Sequence, residues 1–350
     1  MAYTDIDKPS DYFNTVLYTG DDASNRAITG VGFQPDLVWQ KSRNTAYNHY
    51  LTDAVRGAGY ILKSNLTSAE VDGTAAFKSF DTDGFTLTQE AGFEINKSAV
   101  TYTTWNWLAG GTAVSNTDGS ITSNVSANTT AGFSIVSYTG NGSLGATIGH
   151  GLGVAPRFIV VKQRNSTASW VCYHASLGNT KRIFLNLTNA SDTDTDWNNT
   201  TPTSNVFYVG NSVNNNASGS TYIAYCFADV KGFSKFGSYT GNNSTNGPMI
   251  YTGFKPAWLL IKATNAAQWW TLLDSKRDTY NQASLGISPN SSDTESTFNT
   301  NRGPHYIDFL SNGFKIRTDN SGVNGTNSFI YAAFAENPFT TSTGIPATAR

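Results

Sequence analysis

The sequence predicts an all-β fold, built as three tandem antiparallel β-sandwich domains of jelly-roll type related by an internal repeat. Three observations carry this prediction: a phrase that occurs three times, short apolar runs between turn-rich stretches, and no convincing amphipathic helix. Roughly a hundred residues per repeat is the size of a domain with its own core. The predicted parts are an N-terminal arm (1–14), repeat 1 (15–111), a linker or hairpin (112–131), repeat 2 (132–230), repeat 3 (231–339) and a C-terminal tail (340–350).

Each repeat opens on the same phrase and soon reaches a buried strand. The phrase is Tyr-Thr-Gly, and its tyrosines are Tyr18, Tyr138 and Tyr239. A proline follows in each repeat, and the apolar runs "DLVWQK", "RFIVVK" and "AWLLIK" then end on Lys41, Lys162 and Lys262. Branched and aromatic residues after Gly and Pro favour a strand. We expect each lysine to mark the point where this strand emerges into water.

Further strands follow in the same order in each repeat. A second strand is expected at "NHYLTD", "SWVCYHA" and "WWTLLD", and the closing phrases "TYTTWNWLA", "TYIAYCFA" and "SFIYAAFA" alternate large and small residues as strands do. Gly- and Asn-rich segments such as "SNGF" and "NNNASGS" indicate hairpin turns. Trp269 and Trp270 are consecutive, so in a strand one ring must face each side of the sheet. We interpret most tryptophans as core residues.

Composition excludes several classes of protein. Charged residues are 14% of the chain and the net charge is −2, which gives no basic surface for nucleic acid. The N-terminus "MAYTDIDKPSDYF" lacks the pattern of a signal peptide, and no apolar stretch predicts membrane insertion. The sparse cysteines, Cys172 and Cys226, are expected to be buried free thiols rather than a disulfide.

Candidates for catalysis are weak. Asp53–Arg56 and Asp274–Arg277 repeat the same spacing, but repeat 2 has His174 in place of the acid, so we interpret the pairs as structural or exposed salt bridges. The histidines show no metal-ligand spacing, and no phosphate loop or nucleophile elbow is present. We expect no enzyme activity, no cofactor and no metal site.

The best candidate for binding is the loop 191–202 in repeat 2. Asp192, Asp194 and Asp196 alternate as in a calcium loop, but Trp197 stands where an EF-hand requires glycine. An acidic solvated loop is the first interpretation, and a cation site shared with a neighbouring loop stays open. Trp197 has only polar neighbours in sequence, so its ring could stack on a sugar or pack against a protein. We predict that this loop faces a partner through Trp197.

Three phrases resemble a known family: "KPSDYFNTVLYTG", "SYTGN…GPMIYTGFKPAWLLIK" and "FIYAAFAENPF" (Phe329 to Phe339). They resemble a domain of undefined function common in virion proteins of marine tailed bacteriophages, and the resemblance covers nearly the whole chain. It implies a component of the particle, often a tail fibre or structural protein, and it carries no catalytic residues. The chain departs from typical tail fibres because no shaft repeats or heptads appear.

The resemblance implies a non-enzymatic virion protein that is assembled in the host cytoplasm. We expect a surface-exposed tail appendage in host attachment, and a head decoration protein is the alternative. A carbohydrate depolymerase is a more distant alternative, because two carboxylates can always be found among 25 acids. The expected partners are other virion proteins of the tail or capsid and a host surface glycan. A homotrimer is also left open.

Overall fold

The computed structural model describes residues 3–303 and 305–348, the side chains of 296–298 excepted. Its fold is all-β, as predicted, with several antiparallel sheets. A short 3-10 helix (Pro9–Asp11) precedes the first strand, and the α-helix in the described residues is α1 (Glu295–Arg302). None of the helices described reaches the length and apolarity that a bilayer span requires.

Repeat 1 forms two main sheets. Its strands are β1 (Phe13–Thr19), β2 (Arg26–Thr29), β3 (Leu37–Ser42), β4 (Tyr50–Asp53), β5 (Tyr60–Ile61), β6 (Val71–Asp72), β7 (Phe77–Asp81), β8 (Gly84–Leu87) and β9 (Thr101–Trp107). An inner sheet has the order β1-β9-β3-β4, an outer sheet has the order β2-β8-β7, and β5 pairs with β6.

Repeat 2 has the same inner order within a wider sheet. The predicted linker supplies β10 (Val114–Asn116) and β11 (Ser123–Asn128), and the other strands are β12 (Phe133–Thr139), β13 (Ala146–Gly149), β14 (Phe158–Gln163), β15 (Val171–His174), β16 (Lys181–Phe184), β17 (Asp192–Thr193), β18 (Val206–Val209) and β19 (Thr221–Phe227). The wide sheet runs β10-β11-β12-β19-β14-β15-β16-β17, and β13 pairs with β18 in the outer sheet. The linker segment is therefore part of a sheet.

Repeat 3 returns to the arrangement of repeat 1. Its strands are β20 (Ser234–Thr240), β21 (Met249–Tyr251), β22 (Phe254–Ala263), β23 (Thr271–Asp274), β24 (Ile307–Leu310), β25 (Gly313–Ile316) and β26 (Ser328–Pro338). The inner sheet runs β20-β26-β22-β23 and the outer sheet runs β21-β25-β24. The helix α1 lies in the connection between β23 and β24.

The repeated Tyr-Thr-Gly ends the first inner strand of every repeat. Tyr18, Tyr138 and Tyr239 each stack on a ring directly opposite on the closing strand, with centroids 4.9, 5.2 and 4.9 Å apart. Each hydroxyl donates a hydrogen bond to a backbone carbonyl, of Ile95, Asn215 and Val323 respectively. The three tyrosines therefore occupy matching positions, as the repeat predicts.

The glycine of the phrase is required by a close approach of backbone. A Cβ on Gly20, Gly140 or Gly241 would lie only 2.1, 2.5 or 1.9 Å from a carbonyl oxygen, of Lys97, Ala217 and Gly325 respectively. Real Cβ atoms do not come so near to backbone, so only glycine fits in all three repeats.

The three inner sheets turn one face toward a common core. Trp107, Phe227 and Phe334 each lie opposite the first residue of their opening strand, so their positions match. Their ring centroids are 6.3, 5.7 and 5.8 Å apart, so each ring contacts the other two. The repeats thus surround a pseudo-threefold axis, and the first and third repeats are in contact.

The opposite face of each inner sheet packs against its own outer sheet. Separate clusters of buried apolar residues fill these three spaces, centred on Phe85 in repeat 1, Phe207 in repeat 2 and Phe314 in repeat 3. Each repeat therefore has a core of its own, as its length suggests. In addition, it shares the central cluster with the other two repeats. The sequence pattern did not predict that shared core.

Candidate functional site

The acidic loop at 191–202 surrounds a cation that the chain itself supplies. Asp192, Asp194 and Asp196 all pair with the guanidinium of Arg182 on β16, at N–O distances of 3.1, 2.9 and 2.9 Å. Burial lowers the pKa of Arg182, but the hydrogen bonds and charges of Asp192 and Asp196 outweigh burial and raise that pKa. Within the described ranges no group of three or more His, Cys, Asp or Glu residues is placed to hold a metal ion. The alternating acids are explained by this arginine.

The prediction that Trp197 contacts a partner is wrong. Its exposed fraction is 1%, and its ring packs edge-on against Tyr173 with centroids 5.6 Å apart, within the cluster around Phe207. Asp196 and Trp197 are both buried although the loop around them is polar, and the Trp197 ring fills the space between the sheets of repeat 2. Its polar neighbours in sequence therefore gave no indication of where the ring would lie.

The acid–arginine pair of repeat 1 is buried at the contact with repeat 2. Asp53 and Arg56 form an ion pair in which neither side chain is exposed. Asp53 also accepts a hydrogen bond from the Tyr225 hydroxyl at 2.8 Å, and Glu70 bridges Arg56 and Arg164 at 2.9 Å each. Burial opposes the charge on Arg56, but Asp53, Tyr225 and Glu70 together raise its pKa. The pair therefore joins two repeats.

Repeat 3 uses the same arrangement against repeat 1. Asp274 and Arg277 form the buried pair, and Asp274 accepts a hydrogen bond from Trp105 Nε1 at 2.9 Å. Glu295, at the start of α1, bridges Arg277 at 3.1 Å and Arg43 at 2.8 Å. Trp105 matches Tyr225 in position, and Glu295 matches Glu70. The pair predicted as a structural or exposed salt bridge is thus structural and buried.

At the third contact, between repeats 2 and 3, a neutral histidine takes the place of the buried acid. His174 donates from Nε2 to the backbone carbonyl of Tyr331 at 3.1 Å, and its Nδ1 accepts from the amide of Ser176. Burial lowers the pKa of His174 to about 4, so the ring is neutral at neutral pH. Ser191 stands in place of the bridging glutamate and bonds the Thr264 carbonyl. The matched position therefore accepts either a buried acid–arginine pair or a neutral histidine, and a partly exposed Asp229–Lys235 salt bridge also spans this contact.

The lysines that end the buried strands do not emerge into water, contrary to prediction. Lys41, Lys162 and Lys262 are all fully buried. Lys162 donates to the carbonyl of Thr67 in repeat 1 at 3.1 Å, and Lys262 donates to the carbonyl of Thr188 in repeat 2 at 3.0 Å. The strand ends are covered because the neighbouring repeat packs over them. The sequence of a single strand cannot show that another repeat packs over its end.

These lysines predict a rise in stability with pH. Burial lowers the pKa of Lys41 and Lys262 to about 7 and that of Lys162 to about 8, from an ordinary 10.5. Between the lowered pKa of the folded state and the ordinary lysine pKa of the unfolded state, the unfolded chain holds more protons than the folded chain. The free energy of unfolding therefore increases with pH. Below about pH 7 both states are protonated and the contribution is constant. We expect a gain on the order of 3 kcal/mol between about pH 7 and pH 8.5, measured by urea unfolding, and above that range ionisation of the cysteines and then the tyrosines of the unfolded chain opposes the rise.

The pH prediction has a matched control. Lys262→Met should reduce the slope of stability against pH, whereas Lys78→Met, at an exposed position on β7, should leave the slope unchanged. A wild-type protein whose stability falls steadily over this range would contradict the assignment.

Both cysteines are free and buried, as predicted. Burial raises the pKa of the Cys172 and Cys226 thiols, so neither is a reactive thiolate.

An open pocket of about 230 Å³ lies in repeat 3, beside the loop between β22 and β23. Trp269 forms one side and is 36% exposed, whereas the adjacent Trp270 is buried. The guanidinium of Arg302 lies 4.0 Å from the centroid of the Trp269 ring. The pocket is otherwise lined by polar residues and one glycine: Gln268, Asn301, His305, Asn320, Ser321 and Gly322. This is an exposed aromatic ring among hydrogen-bonding groups.

A larger pocket of about 520 Å³ lies where the N-terminal arm meets the junction of repeats 2 and 3. Its exposed aromatics are Tyr3 and Tyr251, with exposed fractions of 65% and 62%. Asp229 and Lys235 at its edge pair with each other at 2.7 Å. Asp5 and Lys231 also line it, so charges of both signs are present in equal number.

Comparison with known families gives one match. The family described as a domain of unknown function, DUF7483, matches residues 8–338. The chain belongs to the DUF7483 family. No curated protein and no solved structure matches it.

In this DUF7483 chain, the sequence pattern missed the residues that bridge repeats and the residues that form pockets. Glu70 and Glu295 had no visible signal, because each joins an arginine of its own repeat to an arginine of another repeat. The Trp269–Trp270 pair did carry a signal: it was expected to place one ring on each side of a strand, and although both residues precede β23, one ring is buried and the other is partly exposed. Sequence alone did not say which ring would be exposed.

Proposed function

We propose that this DUF7483 protein is a non-enzymatic structural protein of a tailed-phage virion, exposed on a tail appendage and active in host attachment. The resemblance of its opening and closing phrases to marine phage virion proteins supports the virion assignment. We also propose that each repeat is one jelly-roll-like β-sandwich, with its inner and outer sheets as the two layers. The chain would then be a triplicated sandwich, docked on other virion proteins.

One observation carries the non-enzymatic part of the proposal. The repeated acid–arginine pairs are fully buried between repeats, where no polysaccharide can reach them. Glycoside hydrolysis requires two carboxylates that flank a substrate. Each buried carboxylate instead pairs with an arginine and accepts a hydrogen bond from a neighbouring repeat, so these repeated pairs stabilise the contacts between repeats.

The location on the particle can be tested by labelling. Antibodies against the chain, bound to intact virions and seen by electron microscopy, should mark the tail, and the purified protein should compete with virions for adsorption to host cells. Label over the capsid would favour the head decoration alternative. Virions that bind no antibody, although the antibody recognises the purified chain, would refute the proposal.

The depolymerase alternative has a separate test. Purified protein incubated with host polysaccharide should release no reducing ends, because the repeated acids Asp53 and Asp274 are buried. Release that persists through purification and disappears on replacement of one exposed acid would favour the enzyme.

A further inference from the structure

We propose that the pocket beside Trp269 binds a neutral pyranose of a host surface glycan. This inference rests on the proposed role in host attachment and names the ligand class and the site. It replaces the acidic loop of repeat 2, whose tryptophan is buried, as the place where sugar is recognised. The tests below separate a failure of the site from a failure of the virion assignment.

The aromatic wall of the pocket is prepared for a sugar ring. The guanidinium of Arg302 lies over one face of the Trp269 ring, 4.0 Å from its centroid, and 36% of the residue stays exposed, so a sugar would stack on the part of the indole that Arg302 leaves uncovered. The C–H groups of a pyranose carry weak positive charge and are attracted to the negative face of an indole. A ring that is already fixed loses little conformational entropy on binding.

Hydrogen bonds within the protein also orient the polar side chains that line the pocket. Gln268 Nε2 donates to Ser321 Oγ at 3.1 Å across the pocket edge. Asn320 Nδ2 donates to the carbonyl of Arg302 at 2.6 Å, and Asn320 Oδ1 accepts from the amide of Gly322 at 2.8 Å. These bonds set the directions of amide and hydroxyl groups, which both donate and accept as sugar hydroxyls do.

The charges favour a neutral ligand. Arg302 forms a salt bridge with Asp293, so its positive charge is compensated. Burial lowers the pKa of His305 to about 4, so this second basic group is neutral at neutral pH. A phosphate or carboxylate ligand would find no uncompensated cation here. A neutral sugar has no such requirement.

The residues that line the pocket suit binding of a sugar and not hydrolysis of a glycosidic bond. No carboxylate is among the described residues that line it, and hydrolysis of a glycosidic bond needs two. The feature is also specific to one repeat, because Asn48 in repeat 1 and Ser169 in repeat 2 occupy the position of Trp269. A residue needed for the fold would be expected in all three.

The experiment is saturation-transfer NMR with the methyl glycosides of glucose, galactose, mannose and N-acetylglucosamine. We expect transfer to the ring protons of at least one of them with the wild-type protein. Trp269→Ser, which copies repeat 2, should reduce the affinity by about tenfold or abolish the signal. Its thermal unfolding should match wild type, because Ser169 is accepted at the matched position.

Tyr251→Ala is the matched control, since it removes an exposed aromatic from the other pocket. It should leave binding unchanged. No transfer to any of the four sugars, binding that survives Trp269→Ser, or binding that is lost only in Tyr251→Ala would each overturn the proposal. Antibody labelling of the virion does not depend on any of these results, so the proposed function would still stand or fall on that test.

Discussion

Replacing Arg277 with leucine is expected to lower the free energy of unfolding by about 3–5 kcal/mol, the usual loss when one partner of a buried ion pair is removed. Arg277 neutralises Asp274, whose side chain is fully buried, and also contacts Glu295. Without the arginine, Asp274 must stay charged and unpaired in an apolar interface or take up a proton. Urea unfolding at neutral pH measures the loss.

Repeat 2 suggests the matched rescue. It has His174 and Leu177 where repeat 3 has Asp274 and Arg277. The double variant Asp274→His with Arg277→Leu copies that uncharged chemistry, so it should be more stable than Arg277→Leu alone. Arg157→Leu, which removes a half-exposed arginine, should change the stability by no more than about 0.5 kcal/mol. A single variant as stable as wild type would show that the pair is not needed.

Replacing Trp197 with alanine is expected to cost about 3–5 kcal/mol, as is usual for a large aromatic residue removed from a core. The ring is 1% exposed and packs against Tyr173 between the sheets of repeat 2. Its removal leaves a cavity that β-strands cannot close. We expect a clear fall in the unfolding midpoint by urea and by heat.

Trp269→Ala is the control for this loss, since that ring is exposed, and it should leave the midpoint nearly unchanged. If Trp197→Ala unfolded like wild type and instead weakened attachment to cells, the ring would act at a surface, and its place in the core would be wrong.

The strands were predictable because their signals are local. Alternating residues and Gly- and Asn-rich turns located the inner strands, and the Tyr-Thr-Gly phrase located the matching positions of Tyr18, Tyr138 and Tyr239. The Trp269–Trp270 pair was expected to face opposite sides of a strand, and one ring is buried and the other partly exposed although both residues precede β23.

The remaining features depend on segments that are distant in sequence. Lys162 is buried because repeat 1 covers it, and a strand that ends on lysine looks the same whether or not another repeat lies above. Trp197 lies in a polar loop, yet its side chain is buried in the apolar cluster between the sheets of repeat 2. Arg182 explains the acidic loop from a neighbouring strand. Tertiary packing determines the burial or pairing of each of these side chains, and the periodicity of the sequence does not indicate it.

The fused threefold arrangement has a consequence for valency. A symmetric trimer of identical single-repeat chains would present every surface feature three times, whereas one covalent chain lets each copy change independently. Trp269 has Asn48 and Ser169 as its counterparts, so this aromatic pocket occurs once around the axis. Each chain is therefore monovalent for whatever the pocket holds. Avidity for a cell surface must come from the number of chains on a particle and from their spacing.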